Sequence, residues 1–195
     1  MISRDPIVRL HSVAEAFFFL MAAACESCGH APLKPNGQLI RTADKQAPWQ
    51  IESLCPSCAH CRRYTFTIQP DPTRASAQSD VVNATMEPSR AVDLLGWLTL
   101  FQTVLRAAQR ESDRPTARQL VREAGLCLDE ALKFYPDAAE LPEMDAFFSE
   151  ASRRHFRENP DWYRQSIWRD RREVMVDMEH GRKPGSRRWW QFWKK

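Results

Sequence analysis

Apolar positions recur along this chain in two rhythms, helical over most of its length and alternating in one short region. Val13, Phe17, Leu20, Met21 and Ala24 fall at helical spacing, and Ser12-Val-Ala-Glu15 is a capping box in which serine and glutamate satisfy the first free amides, so a helix is expected over about 12–24. Phe18 and Phe19 make it apolar on most sides. Such a helix needs cover from two directions and is expected between the strands that follow and the later helices. Residues 38–42 and 49–54 read as strands, and 63–68 alternates, with Tyr64, Phe66 and Ile68 on one face and Thr65 and Thr67 opposite. Pro35-Asn36-Gly37 signals a hairpin turn, because Asn and Gly tolerate positive φ. The expectation is three short antiparallel strands.

Pro70, Pro72 and Pro88, with small polar residues between them, give 70–88 the composition of a linker, interrupted only by Val81 and Val82. Beyond it every long segment is helical in pattern. Ser89 is the expected N-cap of a helix with the stripe Val92, Leu94, Leu95, Leu98, Phe101, Leu105 and Ala108. Pro115 opens the next, whose face is Leu120, Ala124, Cys127, Leu128, Ala131 and Leu132. A third is expected over 145–158, carrying Phe147, Phe148 and Phe156, and a fourth over 160–178. The fold class is therefore α+β: a short helix and a three-stranded antiparallel unit over 1–69, a linker over 70–88, about four helices over 89–180, and a tail from 181 to 195. Ala124, Leu128, Ala131 and Pro136 fall at spacings that resemble the closing helix of a tetratricopeptide repeat. That match covers half a repeat and implies a packed helical hairpin.

Of the 195 residues, 43% are hydrophobic and 27% charged, enough apolar content for a core and enough charge for an ordinary surface. No run approaches the roughly 18 apolar residues of a membrane span. The nine residues from Ala16 to Ala24 end in three alanines before Cys25, as a lipoprotein leader would, but the run is short and Asp5 and Glu15 are acidic. Residues 181–195 hold six Lys or Arg and no acid, so the net charge of +3 conceals a body at −3. An acidic body argues against a broad basic face for duplex nucleic acid.

The sharpest chemical signal is Cys25-Glu-Ser-Cys28 and Cys55-Pro-Ser-Cys58-Ala-His-Cys61, two C-x-x-C hooks with 26 residues between Cys28 and Cys55. Each hook turns tightly enough to aim two sulfurs at one ion, and the pair resembles a zinc ribbon. Cys25, Cys28, Cys55 and Cys58 are the favoured zinc ligands, with Cys61 as a substitute for Cys58, and His30 and His60 also within the donor-rich stretch. Four such donors saturate zinc and leave no position for water, which makes the expected site structural. Gly29 suits the left-handed turn that follows the first hook, whereas Ala59 departs from it at the second. Clustered hooks fit a reducing cytoplasm better than a disulfide framework. Thiol–disulfide exchange would need a βαβ setting, which is missing.

His11, His155 and His180 read as isolated surface or capping residues, and Cys127 as core. Asp137, Glu140, Glu143 and Asp145 lack the spacing of a calcium loop and read as a solvated loop that charges the next helix N-terminus favourably. The tail carries Arg187, Arg188, Trp189, Trp190, Phe192 and Trp193, a combination suited to docking on protein, to an anionic membrane surface, or to a single strand of nucleic acid. As a whole the chain resembles bacterial proteins that join a zinc ribbon to helices. The functional expectation is a non-enzymatic adaptor with a protein partner. Nucleic-acid binding, with charge from Arg62, Arg63 and the tail, and peripheral membrane association are the alternatives.

Overall fold

A computed structural model describes residues 7–43, 49–68, 81–137 and 139–179. Residues 70–80 of the expected linker over 70–88, and the expected basic tail over 181–195, lie outside them. The chain divides between Val92 and Asp93 into two compact units.

In the first unit, β1 (Val8–Leu10) leads into α1 (Val13–Ala22), and β2 (Lys34–Pro35), β3 (Ile40–Arg41), β4 (Trp49–Leu54) and β5 (Cys61–Ile68) follow. The sheet is mixed rather than a three-stranded antiparallel ribbon. β4 and β5 are antiparallel from Trp49↔Phe66 to Leu54↔Cys61, while β1 lies parallel to β5 on its other side, with Val8 opposite Phe66 and Leu10 opposite Ile68. β2 and β3 both pair with β4, at Lys34↔Leu54 and Ile40↔Gln50. The expected hairpin at Pro35-Asn36-Gly37 is therefore corrected. Residues 36–39 bulge opposite Ile51 and Glu52 within one interrupted edge strand, with Gly37 at φ +106° and the Asn36 amide donating to the Glu52 carbonyl at 2.7 Å. Pro35 and the bulge make that edge a poor template for another strand.

Ser12 caps α1 as expected, accepting from the Glu15 amide at 3.1 Å. The carboxylate of Glu15 reaches one residue further back than a capping box requires, to the His11 amide at 2.5 Å, and lies fully buried beside the His11 ring. The buried face of α1 also differs from the expected stripe. Ala16 and Leu20 join Leu10, Ile51, Tyr64 and Phe66 in one core, and Phe19 meets the edges of Tyr64 and Phe66 at 5.3 and 5.7 Å, whereas Val13 and Phe17 are exposed.

In the second unit, α2 (Leu94–Arg110) and α3 (Arg114–Leu132) form a helical hairpin across three connecting residues. α2 begins later than expected. Asp93 is its cap, accepting from the Gly96 amide at 2.8 Å, while Ser89 closes a preceding turn through the amides of Ala91 and Val92. Leu94, Leu98, Phe101, Leu105 and Ala108 of the expected stripe are buried, and Trp97 is fully buried with them. The expected third and fourth helices each shorten, because a 3₁₀ turn occupies the first residues. Met144–Ala146 precedes α4 (Glu150–Glu158), capped by Ser149, and Pro160–Tyr163 precedes α5 (Gln165–Glu179). Phe147 stacks on Phe156 at 4.8 Å, and Trp168 meets Trp162 at 5.0 Å and Phe101 at 6.0 Å. Their polar neighbours are satisfied: Tyr135 Oη donates to the Tyr163 carbonyl at 2.8 Å, and Trp168 Nε1 to the Trp162 carbonyl at 2.9 Å. His155 is no surface histidine, since its Nδ1 lies 2.7 Å from Tyr163 Oη. No described helix is long and apolar enough to cross a membrane.

Candidate metal centre

The two hooks share the same backbone hydrogen bonds. In each, the first cysteine's carbonyl accepts from the amide four residues on, Gly29 to Cys25 at 2.7 Å and Ala59 to Cys55 at 2.9 Å. The first cysteine's own amide then donates to the carbonyl five residues on, His30 for Cys25 at 2.8 Å and His60 for Cys55 at 2.9 Å. The residue after each second cysteine takes a left-handed conformation, φ +71° at Gly29 and +59° at Ala59. The alanine thus makes the same turn as the glycine. The repeat Cys-x-Ser-Cys-x-His at 25–30 and 55–60 was the available sign of this equivalence.

This geometry brings four thiols together. The Sγ atoms of Cys25, Cys28, Cys55 and Cys58 all lie within 4.8 Å of one another, with Cys25–Cys58 and Cys28–Cys55 each at 3.6 Å. A tetrahedral ion with bonds of ~2.3 Å to sulfur has edges of ~3.8 Å, so the cluster has both the donors and the dimensions to coordinate one metal ion. Each hook contributes one buried cysteine, Cys25 or Cys55, and one exposed, Cys28 or Cys58. Cys61 lies outside the cluster. It begins β5, exposed, opposite Leu54, with Asn36 Nδ2 at 4.0 Å from its sulfur. His30 and His60 are exposed and contribute their carbonyls to the hooks.

The electrostatics match a cation site. Burial opposes ionisation of Cys25, but amides of Cys28 and Ser27 and the thiol of Cys58 outweigh it and lower its pKa. The Cys58 amide, against burial and together with the Ser57 amide, lowers the Cys55 thiol to about 7. Cys58 goes the other way: the His60 amide favours its thiolate, yet Cys28, burial and Cys55 together push it up to about 12. Sulfurs this close cannot all ionise alone. A metal ion between them would remove that conflict, since metals bind thiolates and displace their protons.

Surrounding charges tie the hooks to the sheet. Arg62 on β5 pairs with Glu26, inside the first hook, and lies 4.9 Å over the Tyr64 ring. Arg63 pairs with Glu52 across the strands at 2.8 Å. Cys127 belongs to the second unit and is fully buried on α3, as expected. The contact residues Arg187, Arg188, Trp189, Trp190, Phe192 and Trp193 lie outside the described residues. No protein-family model, curated protein or solved structure matches the chain, so geometry carries the functional reading.

Proposed function

We propose that Cys25, Cys28, Cys55 and Cys58 form a zinc-ribbon site holding one structural Zn²⁺, and that the chain is a non-enzymatic cytoplasmic adaptor whose helical unit and residues 181–195 meet a protein partner. The observation that supports this most directly is the four-sulfur cluster. Four thiolates complete the coordination of zinc, so the ion would shape the fold and take no substrate. The first unit needs such help. Two of its strands are two residues long and one is three, and a structural zinc contributes on the order of 10 kcal/mol of folding free energy in metal-dependent modules. Arg62 and Arg63 each face an acid, which weakens the case that these two residues serve nucleic acid.

Metal analysis of the chain purified under reducing conditions should find one equivalent of zinc. Iron in its place would overturn the choice of metal, and less than about half an equivalent with unchanged folding would overturn the site. The adaptor role predicts recovery of one defined protein at stoichiometric amounts with the intact chain. Retention on single-stranded RNA that falls steeply with salt would replace that role with nucleic-acid binding.

A further inference from the structure

The helical unit carries a surface that none of this explains. Residues 134–152 hold five acids and no Lys or Arg. Three large apolar side chains stand exposed among them: Leu141 at 40%, Met144 at 45% and Phe148 at 44%. The segment is anchored rather than loose. The Glu140 carbonyl accepts from the Gln165 amide at 2.8 Å and its carboxylate from Ser166 Oγ at 2.5 Å, which fixes it to the first turn of α5. The Phe148 amide donates to Asp93 at 3.2 Å, and its ring lies 6.2 Å from Phe134. Asp137, Glu143 and Asp145 pair with no described base.

A surface that is both apolar and acidic fits an occupant that is both apolar and basic. Residues 187–195, Arg-Arg-Trp-Trp-Gln-Phe-Trp-Lys-Lys, are that: four aromatic rings, four bases and no acid. We propose that this segment docks on the surface at residues 141–148 of its own chain, its indoles over Leu141, Met144 and Phe148 and its bases against the acids. Indole on methionine and on phenylalanine combines large apolar area with favourable sulfur–ring and ring–ring contacts. Placed near unpaired carboxylates, the four bases add an attraction that salt weakens.

The tether is long enough. α5 has 15 residues and spans about 22 Å at ~1.5 Å per residue. Residues 180–188 reach roughly 30 Å when extended at ~3.3 Å each. Trp189 can therefore return along α5 to the turn that holds Glu140. A tether of this length sets an effective concentration on the order of millimolar, so a contact of modest affinity is populated within one chain before a second copy competes at micromolar concentration. The surface is then self-occupied, and a partner that takes the tail uncovers it. The contact within the chain depends neither on the metal nor on the adaptor reading.

Hydrogen exchange on the full-length, zinc-loaded chain tests the contact. Two variants are compared with the parent: Trp189→Ser/Trp190→Ser/Trp193→Ser, and Glu143→Lys/Asp145→Lys at exposed positions outside the packed aromatic core. Amides of 139–149 should exchange about tenfold faster in both, at every protein concentration. Unchanged exchange in both variants overturns the proposal. So does protection that grows with concentration alongside a dimer in sedimentation, which assigns the surface to a second copy. Tryptophan-dependent flotation with anionic vesicles, with 139–149 exchanging alike in parent and variants, overturns it in favour of lipid.

Discussion

Cys25 and Cys58, the first cysteine of one hook and the second of the other, hold their sulfurs 3.6 Å apart. Cys28 and Cys55 repeat the relationship at 3.6 Å, so every cysteine of the cluster has a neighbour from the opposite hook, and removing any one would leave a bound ion one donor short. Cys25→Ser should therefore lower zinc affinity by more than the ~100-fold typical of losing a partner outside the coordination shell. Cys61→Ser should keep a full equivalent of zinc and the parental melting temperature. Zinc content and competition with a chelator measure both, and a Cys61→Ser protein that loses its metal would return Cys61 to the ligand set.

The other two thiols make a second contrast. Burial pushes the Cys127 thiol up, and the carboxylates of Glu123, Glu130 and Asp129 push it further, so it stays protonated and inert. Cys61 is exposed. Brief alkylation of the zinc-loaded protein should label Cys61 alone, with Cys127 reacting only in denaturant, as peptide mass spectrometry would read. Cys127→Ser should cost about 1–3 kcal/mol, because a hydroxyl at a position closed to solvent is hard to satisfy. Labelling of Cys127 in the folded chain would show that α3 opens.

Local signals were legible and long-range ones were not. The hook spacing, the Ser12 cap, the Pro115 start and the strand at Trp49–Leu54 each depend on residues within a few positions of one another, and the structure repeats them. β1 was missed because three residues carry no periodicity and their partner, Phe66 to Ile68, lies nearly sixty positions away. The two-residue surplus that turns the Pro35-Asn36-Gly37 hairpin into a bulge exists only in register with β4. The face of α1 could not be chosen from periodicity, since aromatic residues occupy three consecutive positions at Phe17, Phe18 and Phe19. Asp93 displaced Ser89 as a cap because both precede apolar runs, and only Asp93 also meets the Phe148 amide.

Gly125 on α3 lies against the side-chain ends of Glu179 and Arg172 on α5. A Cβ there would sit 2.5 Å from Glu179 Oε1 and 3.3 Å from Arg172 Nη1. Both atoms end flexible side chains. Gly125→Ala should force Glu179 outward and lose its 3.2 Å contact with Arg172, worth about 0.5–1 kcal/mol, while gaining about 1 kcal/mol of helix propensity. The net change should stay within about 0.5 kcal/mol in urea unfolding. Gly125→Leu has no such escape and should break the bidentate pair of Arg172 with Asp129, now at 2.6 and 2.9 Å, costing more than about 2 kcal/mol.

Asp113 gives the helical unit a pH-dependent cap. The hydroxyl and amide of Thr116 both donate to its carboxylate and hold its pKa below the ordinary 3.8. A depressed folded-state value means the cap stabilises fully above the unfolded pKa and is lost as pH falls through the folded one. The melting temperature of Asp113→Ala should thus lie below that of the parent near neutrality, and the gap should close only below about pH 4. A gap that persists unchanged to pH 2 would mean that charge at Asp113 contributes nothing to the cap.

The two hooks allow a reciprocal exchange that isolates backbone strain from metal binding. Ala59 holds φ +59°, where an L side chain costs about 1 kcal/mol, and Gly29 holds φ +71° with no atom within 4 Å of where a methyl group would stand. Sterics are therefore absent at Gly29, and only the left-handed conformation opposes alanine there. Ala59→Gly should stabilise the zinc-loaded chain by somewhat less than about 1 kcal/mol, since the freed strain is partly offset by a more flexible unfolded chain. Gly29→Ala should destabilise by a similar amount and still bind one zinc, because Ala59 already shows an alanine in this turn. The double variant should return close to the parent in thermal unfolding. A Gly29→Ala chain that loses its zinc would mean that the two hooks, alike in their hydrogen bonds, are not interchangeable in what they demand of the residue after the second cysteine.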